Sequence, residues 1–161
     1  MTTKSTEFTY VEYTDARQLG SLDRELMDLA REATKKAYAP YSNFFVAAVA
    51  RMDNLQTITG TNQENASFPV GICAERTLLS TISNLCASDS KVVTIAVSYA
   101  SSRSDHQSAD VPISPCGMCR QAICEQIDRQ KKDIRLLLSG QTGPVHLIES
   151  ATSLLPMRFM L

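Results

Sequence analysis

The sequence predicts an α/β fold, a three-layer α/β/α sandwich around a mixed five-stranded sheet. Three segments carry apolar residues at spacings of three and four, which is typical of amphipathic helices. The segments between them are short, apolar and rich in β-branched residues, which favours strands. The order along the chain is helix, hairpin, helix, strand, helix, strand, strand, and such an order places helices on the faces of a sheet.

The first helix has the clearest pattern. Ser21 offers an N-cap and Pro40 stops the helix. Its predicted apolar face consists of Leu22, Leu26, Leu29, Ala33 and Ala37. Upstream, Phe8–Tyr13 suits a short edge strand or an extended arm. We therefore expect residues 1–20 to form an N-terminal arm or short strand, and residues 21–161 to form a single domain.

The strands are short apolar runs between turn signals. Phe44–Met52 is predicted to be a buried central strand, because it is too short and too apolar for a surface helix. Asp53 and Asn54 then form a tight turn into Gln56–Thr61, which predicts an antiparallel hairpin. The three remaining predicted strands are Val92–Tyr99, Ile134–Leu138 and a short one around Val145–Leu147.

Two further helices are predicted to begin at cysteines. One starts at Cys73, and its apolar face comprises Ala74, Leu78, Ile82 and Leu85. The other is Gly117–Arg129, with Cys119, Ile123 and Ile127 stacked on one side. Between them, Ser101–Asp110 is polar and irregular, and we expect a solvated loop that includes an exposed His106. Loops that connect strands to helices are where α/β folds gather ligands.

Composition narrows the possible functions. The chain has 161 residues, with 16 basic against 17 acidic side chains, and this balance argues against a nucleic-acid partner. The number of cysteines, five, is odd, and no apolar segment opens the chain, so we expect a reduced, cytoplasmic protein. No apolar run approaches the ~18 residues that a membrane span requires, which predicts a soluble protein.

The cysteine pattern predicts a zinc site. Cys116 and Cys119 are one helical turn apart, and Cys73 comes from a separate helix start. Three thiolates that leave the fourth position to water are typical of catalytic zinc, and helix N-termini favour the thiolate form. Glu75 could then act as the proton shuttle, although the sequence alone also allows it to be a fourth, closing ligand. Arg76 would offset the negative charge of the site.

Simpler interpretations exist for each of these residues. The Cys-x-x-Cys pair alone could be a redox pair or half of a structural zinc site. Cys86 and Cys124 are predicted to be small core residues. The polar cluster Asn62, Glu64 and Asn65 could be a plain strand end, and Phe44 could belong to the core. Neither His106 nor His146 has the spacing of a metal ligand.

Five segments together carry a resemblance to a known family. They are Tyr38–Val46 (YAPYSNFFV), Asn62–Ser67 (NQENAS), Cys73–Arg76 (CAER), Pro115–Gln121 (PCGMCRQ) and Leu154–Phe159 (LLPMRF). In this order and register they resemble the small, homotetrameric cytidine deaminases, and the similarity runs from about Leu22 to the end. The resemblance implies hydrolytic deamination at C4 of cytosine with one zinc ion per chain.

The resemblance also implies roles for individual residues. Cys73, Cys116 and Cys119 would hold zinc, and Glu75 would be the proton shuttle. For the substrate, the implied contacts are Phe44 with the pyrimidine face, the Ala74 backbone with the base edge, and Asn62 and Glu64 with the ribose 3′-hydroxyl. Two neighbours on a strand end can hold one hydroxyl as donor and acceptor, so this assignment makes physical sense.

The chain departs from the family pattern at two positions. Ala47 replaces a glycine, and Phe68 replaces a tyrosine whose hydroxyl reaches the ligand of a neighbouring subunit. The apolar tail, with Leu154, Leu155, Phe159, Met160 and Leu161, would form an exposed patch on a monomer, which suggests a subunit interface. By resemblance the assembly is a homotetramer in which Phe159 approaches a neighbouring active site.

The predicted activity is the deamination of cytidine and 2′-deoxycytidine, as in pyrimidine salvage. Three alternatives remain at this point. A deaminase of another small molecule would lack the ribose contacts of Asn62 and Glu64. A polynucleotide-editing deaminase would need a basic groove. A non-catalytic zinc protein would keep the cysteines and have no use for Glu75.

Overall fold

The computed structural model describes residues 1–87, 89–101 and 109–160. Most of the predicted loop Ser101–Asp110, with His106, lies outside the described residues, and so does Leu161. The helices are α1 (Ser21–Ala33), α2 (Ala74–Leu85) and α3 (Gly117–Gln130). The strands are β1 (Val11–Tyr13), β2 (Phe44–Met52), β3 (Thr57–Thr61), β4 (Val92–Ser101), β5 (Arg135–Ser139) and β6 (Val145–Ile148).

The strands form one mixed sheet in the order β1-β6-β5-β4-β2-β3. β4 and β5 run parallel, and the other neighbouring pairs are antiparallel. The mixed sheet and the β2–β3 hairpin are confirmed, whereas the prediction of five strands is wrong because the sheet has six. The extra strand is β1, which pairs with β6 through Val11 opposite Leu147 and Tyr13 opposite Val145.

Helices cover both faces of the sheet. Successive side chains of a strand point to opposite faces, so a strand can contribute to the apolar cluster on either side. In β2, Ala47 and Val49 pack in the cluster under α1, and Ala48 and Ala50 pack in the cluster under α2 and α3. The helical side of the first cluster is Leu26, Met27, Ala30 and Ala33. The helical side of the second is Ala74, Leu78, Leu79, Ile82, Ile123 and Ile127.

Two details of α1 correct the sequence prediction. Gly20 is the N-cap and Ser21 is the first helical residue, so the predicted Ser21 cap is wrong. The buried face is centred on Met27 and Ala30, which leaves Leu22 and Leu29 exposed at 51% and 40%. The face of α1 that packs on the sheet is therefore rotated about the helix axis from the predicted leucine-rich face. Its small residues allow α1 to pack against β2 and β4.

The predicted face of α2 is correct except at its end. Ala74, Leu78 and Ile82 are buried, whereas Leu85 lies in the last turn and is 71% exposed. In α3, the predicted stack of Cys119, Ile123 and Ile127 is buried throughout. No helix within the described ranges is both long and apolar enough to cross a membrane.

A charged cluster ties α1 to the sheet. The Asp23 carboxylate accepts hydrogen bonds from Arg51 of β2 and from Arg135 of β5, each with an N–O distance of 2.9 Å. Arg51 also donates to the Leu22 carbonyl at 2.9 Å and to the Thr94 hydroxyl at 3.2 Å. Burial alone would raise the pKa of Asp23, but the bonds from both arginines outweigh it and lower that pKa.

The C-terminal segment is fastened to α3. Arg120 donates to the carbonyls of Pro115 and Leu154, at 2.8 and 3.1 Å. The Gln121 amide exchanges two hydrogen bonds with the backbone of Phe159, at 3.0 and 3.1 Å. The tail and the loop that precedes α3 are therefore held by neighbouring residues of one helix.

Candidate active site

Three cysteine thiols meet where α2 and α3 begin. Cys73 is the N-cap of α2, Cys116 is the N-cap of α3, and Cys119 lies in the first turn of α3. The sulfur of Cys116 lies 3.8 Å from that of Cys73 and 3.4 Å from that of Cys119, and all three sulfurs lie within 4.8 Å of one another. Such a set matches the donors that zinc takes when one coordination position stays open.

The other two cysteines lie apart from this group. Cys124 is buried in α3, and half-buried Cys86 packs against the apolar core. Neither belongs to a group of potential metal ligands within the described part of the chain. Both predictions of core cysteines are consistent with this placement.

The thiols differ in how readily they ionise. The hydrogen bond with the Cys119 thiol lowers the pKa of Cys73 to about 6, against the opposing effect of burial. The same hydrogen bond raises the pKa of Cys119, and burial adds to that rise. The charge of Arg76 is the smallest of the effects that lower the pKa of Cys73, and its role in offsetting the negative charge of the site stays a prediction. The cluster therefore already stabilises a thiolate before any cation is bound.

A cavity of about 330 Å³ opens beside the thiols. Its walls include Cys73, Cys116 and Glu75. Every substrate-contact residue predicted within one chain also lines it, namely Phe44, Asn62, Glu64 and Ala74. The structure thus brings two of the predicted metal ligands and the predicted substrate contacts to one cavity of the size that small ligands occupy, with the buried Cys119 thiol behind Cys116.

Glu75 is the buried acid of this cavity. It lies in the first turn of α2 and is only 4% exposed. Burial raises its pKa, and interactions with its own backbone N–H and with the Cys119 thiol oppose that rise only in part. A carboxylate whose charged form is disfavoured, and which lies two residues from a metal ligand, is suited to accept and return a proton.

Phe44 forms an aromatic wall of the cavity. It is the first residue of β2, and its ring stacks on Tyr99 of β4 with centroids 5.0 Å apart and an interplanar angle of 29°. The ring is half-buried. Phe44 therefore lines the cavity instead of filling the core.

Asn62 and Glu64 are both bonded to backbone near the cavity. The Asn62 amide accepts from the Val46 N–H at 2.8 Å and donates to the Phe44 carbonyl at 2.9 Å. Glu64 accepts from the N–H groups of Tyr41 and Ser42, at 2.9 and 3.2 Å. Desolvation alone would raise the pKa of Glu64. The hydrogen bonds from the Ser42 side chain and from these two N–H groups outweigh it, so the pKa of Glu64 is lowered and the carboxylate form is favoured.

Two predicted positions lie at or beyond the rim. Phe68 is 77% exposed, lines the cavity, and meets Tyr41 edge to face at 6.1 Å. Phe159 is 68% exposed and is not among the lining residues of its own chain. A contact between Phe159 and a neighbouring active site stays a prediction.

Sequence reasoning missed several residues of the cavity wall. These are Val46, Gln63, Gly71, Ile72, Ile113 and Ser114. Each lies within a few residues of a predicted site residue, so proximity in sequence was the available signal. None has a side chain whose chemistry alone marks a site.

Comparison with known proteins identifies the family. The profile described as "Cytidine and deoxycytidylate deaminase zinc-binding region" matches residues 21–131. The cytidine deaminase of Halalkalibacterium halodurans is 36% identical over 139 residues, covering 86% of this chain and 95% of that protein. The cytidine deaminase of Mycoplasma genitalium is 41% identical over 91 residues, covering 56% of this chain and 62% of that protein.

Solved structures agree in fold. The crystal structure of cytidine deaminase from Burkholderia pseudomallei superposes with a TM-score of 0.70 at 36% identity, covering 84% of this chain and 97% of that one. The structure from Mycobacterium tuberculosis gives a TM-score of 0.62 at 26% identity, covering 85% and 96%. Since the family profile spans well over half of the chain and a 36% identical relative is matched almost end to end, the chain belongs to the cytidine and deoxycytidylate deaminase zinc-binding family.

Proposed function

We propose that the protein is a zinc-dependent cytidine deaminase that converts cytidine and 2′-deoxycytidine to uridine and 2′-deoxyuridine with release of ammonia, as in pyrimidine salvage. The observation that carries this proposal is the shared cavity, where two thiols of the three-cysteine group and the buried carboxylate of Glu75 face polar and aromatic ligand contacts. Family membership supports the same activity.

The metal would be held by Cys73, Cys116 and Cys119, one ion per chain. When bound, zinc supplies Lewis acidity that activates a water molecule for attack on a ring carbon. The thiolates leave the site negatively charged, and the nearby positive charge of Arg76 partly offsets this. The ligands come from two helix starts, where unpaired N–H groups also favour anions.

Glu75 moves the protons. It takes one proton from the attacking water and delivers it to N3 of the pyrimidine. As the C4–N bond breaks, it takes the second proton from the new hydroxyl on C4 and delivers it to the departing amine, so that ammonia leaves and the C4 carbonyl forms. Its burial supports this role, because a carboxyl with a raised pKa can hold a proton between two transfers.

Substrate recognition is assigned to the remaining cavity residues. Phe44 contacts the face of the pyrimidine, and the backbone of Ala74 meets its edge. Asn62 and Glu64 hold the ribose 3′-hydroxyl, with the Glu64 carboxylate as acceptor. A site built around such a hydroxyl discriminates against a free base, because the base lacks the hydroxyl that Asn62 and Glu64 would bind.

The assembly is proposed to be a cytoplasmic homotetramer of single catalytic domains, residues 21–161, each preceded by an arm at residues 1–20. Exposed apolar residues in the tail support a subunit interface, with Met157 at 94%, Phe159 at 68% and Met160 at 66% exposure. In this assembly Phe159 would reach a neighbouring active site. Light scattering that gave the mass of a monomer would contradict the interface.

The activity is tested with four compounds. The zinc-loaded protein is incubated with cytidine, 2′-deoxycytidine, cytosine and a short single-stranded DNA, and the loss of cytosine absorbance is followed. We expect turnover of the two nucleosides, abolished by a chelator and restored by zinc. Turnover of the DNA strand alone would indicate an editing enzyme. No turnover with one zinc bound per chain would indicate a non-catalytic zinc protein.

A further inference from the structure

The side chain of Asn62 continues a strand ladder where the neighbouring strand has ended. The β2–β3 pairing runs from Arg51 opposite Thr57 to Ala47 opposite Thr61. Beyond it, the Asn62 N–H donates to the Val46 carbonyl at 3.1 Å. The Asn62 amide then bonds to the Val46 N–H at 2.8 Å and to the Phe44 carbonyl at 2.9 Å.

These two side-chain bonds satisfy backbone groups on both sides of Phe45. On its other edge, β2 is paired with β4 as far as Phe44 opposite Ser101. On the β3 edge, Phe44–Val46 lie beside the cavity, where an unpaired backbone group is costly to leave without a partner. The Asn62 amide fixes this edge with a donor and an acceptor on separate atoms, which an apolar or a carboxylate side chain cannot provide.

The backbone held in this way carries the aromatic wall. Phe44 is bonded to Asn62 through its own carbonyl, and its ring lines the cavity against Tyr99. The ring projects from a backbone segment that Asn62 holds at residues 44 and 46. From these contacts we infer that Asn62 is a positioning residue for Phe44, and that it governs how the pyrimidine ring is held in addition to any contact with the sugar.

Both roles are chemically compatible. After the two backbone bonds, Asn62 retains one N–H and one oxygen lone pair, which are available for a hydroxyl. The inference rests on the proposed cytidine deaminase activity, since it concerns how the base of that substrate is oriented. The two roles can be distinguished by which part of the substrate, the base or the sugar, is bound less well when Asn62 is replaced.

A double-mutant cycle separates them. Asn62→Ala and Phe44→Ala are each expected to reduce kcat/KM for cytidine at least tenfold. If Asn62 acts through Phe44, the loss of kcat/KM in the double variant should be clearly smaller than the product of the two single losses, even if Asn62 also contacts the sugar. Multiplication of the two effects would overturn the inference, because a contact with the sugar alone is independent of a contact with the base.

A ligand without a sugar gives the second readout. The affinity of 1-methylcytosine, measured as competitive inhibition of cytidine turnover, should fall at least fivefold in Asn62→Ala. An unchanged inhibition constant together with a raised KM for cytidine would mean that Asn62 contacts only the ribose. If the wild-type protein turns over no cytidine, the proposed function fails, whereas this inference fails only in an active enzyme.

Controls address folding. Asn54→Ala removes one side-chain bond, to the Gln56 N–H at 3.0 Å, at the opposite end of the same hairpin, and should leave both readouts unchanged. Each variant is checked for one zinc per chain and for a cooperative melt. If Asn62→Ala does not fold, Asn62→Asp keeps the acceptor for the Val46 N–H and loses the donor to the Phe44 carbonyl. Its effect should likewise fail to multiply with Phe44→Ala.

Discussion

Two carboxylates, one on each face of the sheet, have pKa values that are shifted in opposite directions. Under α1, Asp23 is shared by Arg51 and Arg135, and its pKa is lowered. Under α2, Glu75 is in no ion pair among the residues that the structure describes, and burial raises its pKa. The comparison shows that a compensated carboxylate contributes to stability in one fixed charge state, whereas an uncompensated one is available for proton transfer.

The sharpest test of this contrast is Glu75→Gln, for which we expect the largest effect. Glutamine has nearly the same shape but cannot carry the proton, so kcat should fall by about 10³-fold or more. Zinc content should stay near one per chain, and the melting temperature should not decrease, because no ion pair is broken. Turnover assays measure kcat, and metal analysis measures the zinc content. Retained turnover would contradict the role of Glu75, and Glu125→Gln on the exposed side of α3 serves as the control.

Gly60→Ala should reduce both the stability of the fold and the turnover of the substrate. A Cβ at Gly60 of β3 would collide with the backbone nitrogen of Leu78 and lie 2.5 Å from the Ala74 carbonyl. Since α2 would have to move, we expect a loss of about 3 kcal/mol in the free energy of unfolding. Turnover should fall as well, because α2 carries Glu75.

Urea denaturation and kcat/KM test this prediction. Gly20→Ala is the matched control, since an added Cβ there meets nothing within 4 Å. Wild-type stability of the Gly60→Ala protein would show that the contact between β3 and α2 is looser than the structure indicates.

Asp23→Asn should affect stability and leave turnover unchanged. The cluster is mostly buried, with side-chain exposures of 10% for Arg51 and 15% for Asp23, so we expect a loss of about 2 kcal/mol at pH 7. Because the folded pKa of Asp23 is lowered, its contribution is complete above the unfolded pKa and is lost as the pH falls through the folded pKa.

The variant and the wild type should therefore converge in stability as the pH falls below about 4. Urea denaturation at several pH values measures this convergence. Asp15→Asn, which removes an exposed pair with Arg17, should show no such difference. A pH-independent difference at Asp23 would mean that lost packing, not lost charge, is responsible.

Much of the fold was predictable because most helices and strands are marked by a pattern within their own residues. The helices and five of the strands follow from periodicity and turn residues. β1 lies within Phe8–Tyr13, which was predicted to be a short edge strand or an extended arm, but it was not counted in the sheet because its partner β6 lies more than a hundred positions away. The buried face of α1 was also misplaced, since a count of leucines does not reveal that small residues such as Ala30 are buried.

The site was predictable where chemistry is concentrated in short motifs. Cys73, Glu75, Cys116 and Cys119 could be named from spacing, and the structure brings them to one cavity edge. The bonds of Asn62 to β2 could not be foreseen, because they depend on where β3 ends relative to its partner. The pairing of Asp23 with Arg135 was equally hidden, since the two residues are 112 positions apart.

The two helix starts that share the thiols have a further consequence for folding. Cys73 and Cys116 are 43 residues apart, and the segment between them includes all of α2 and β4. A zinc ion bound there acts as a cross-link that closes a long loop, and the unfolded chain offers no comparable preformed set of ligands. Metal affinity is therefore linked to folding free energy, and zinc availability should set the lifetime of the protein as well as its activity.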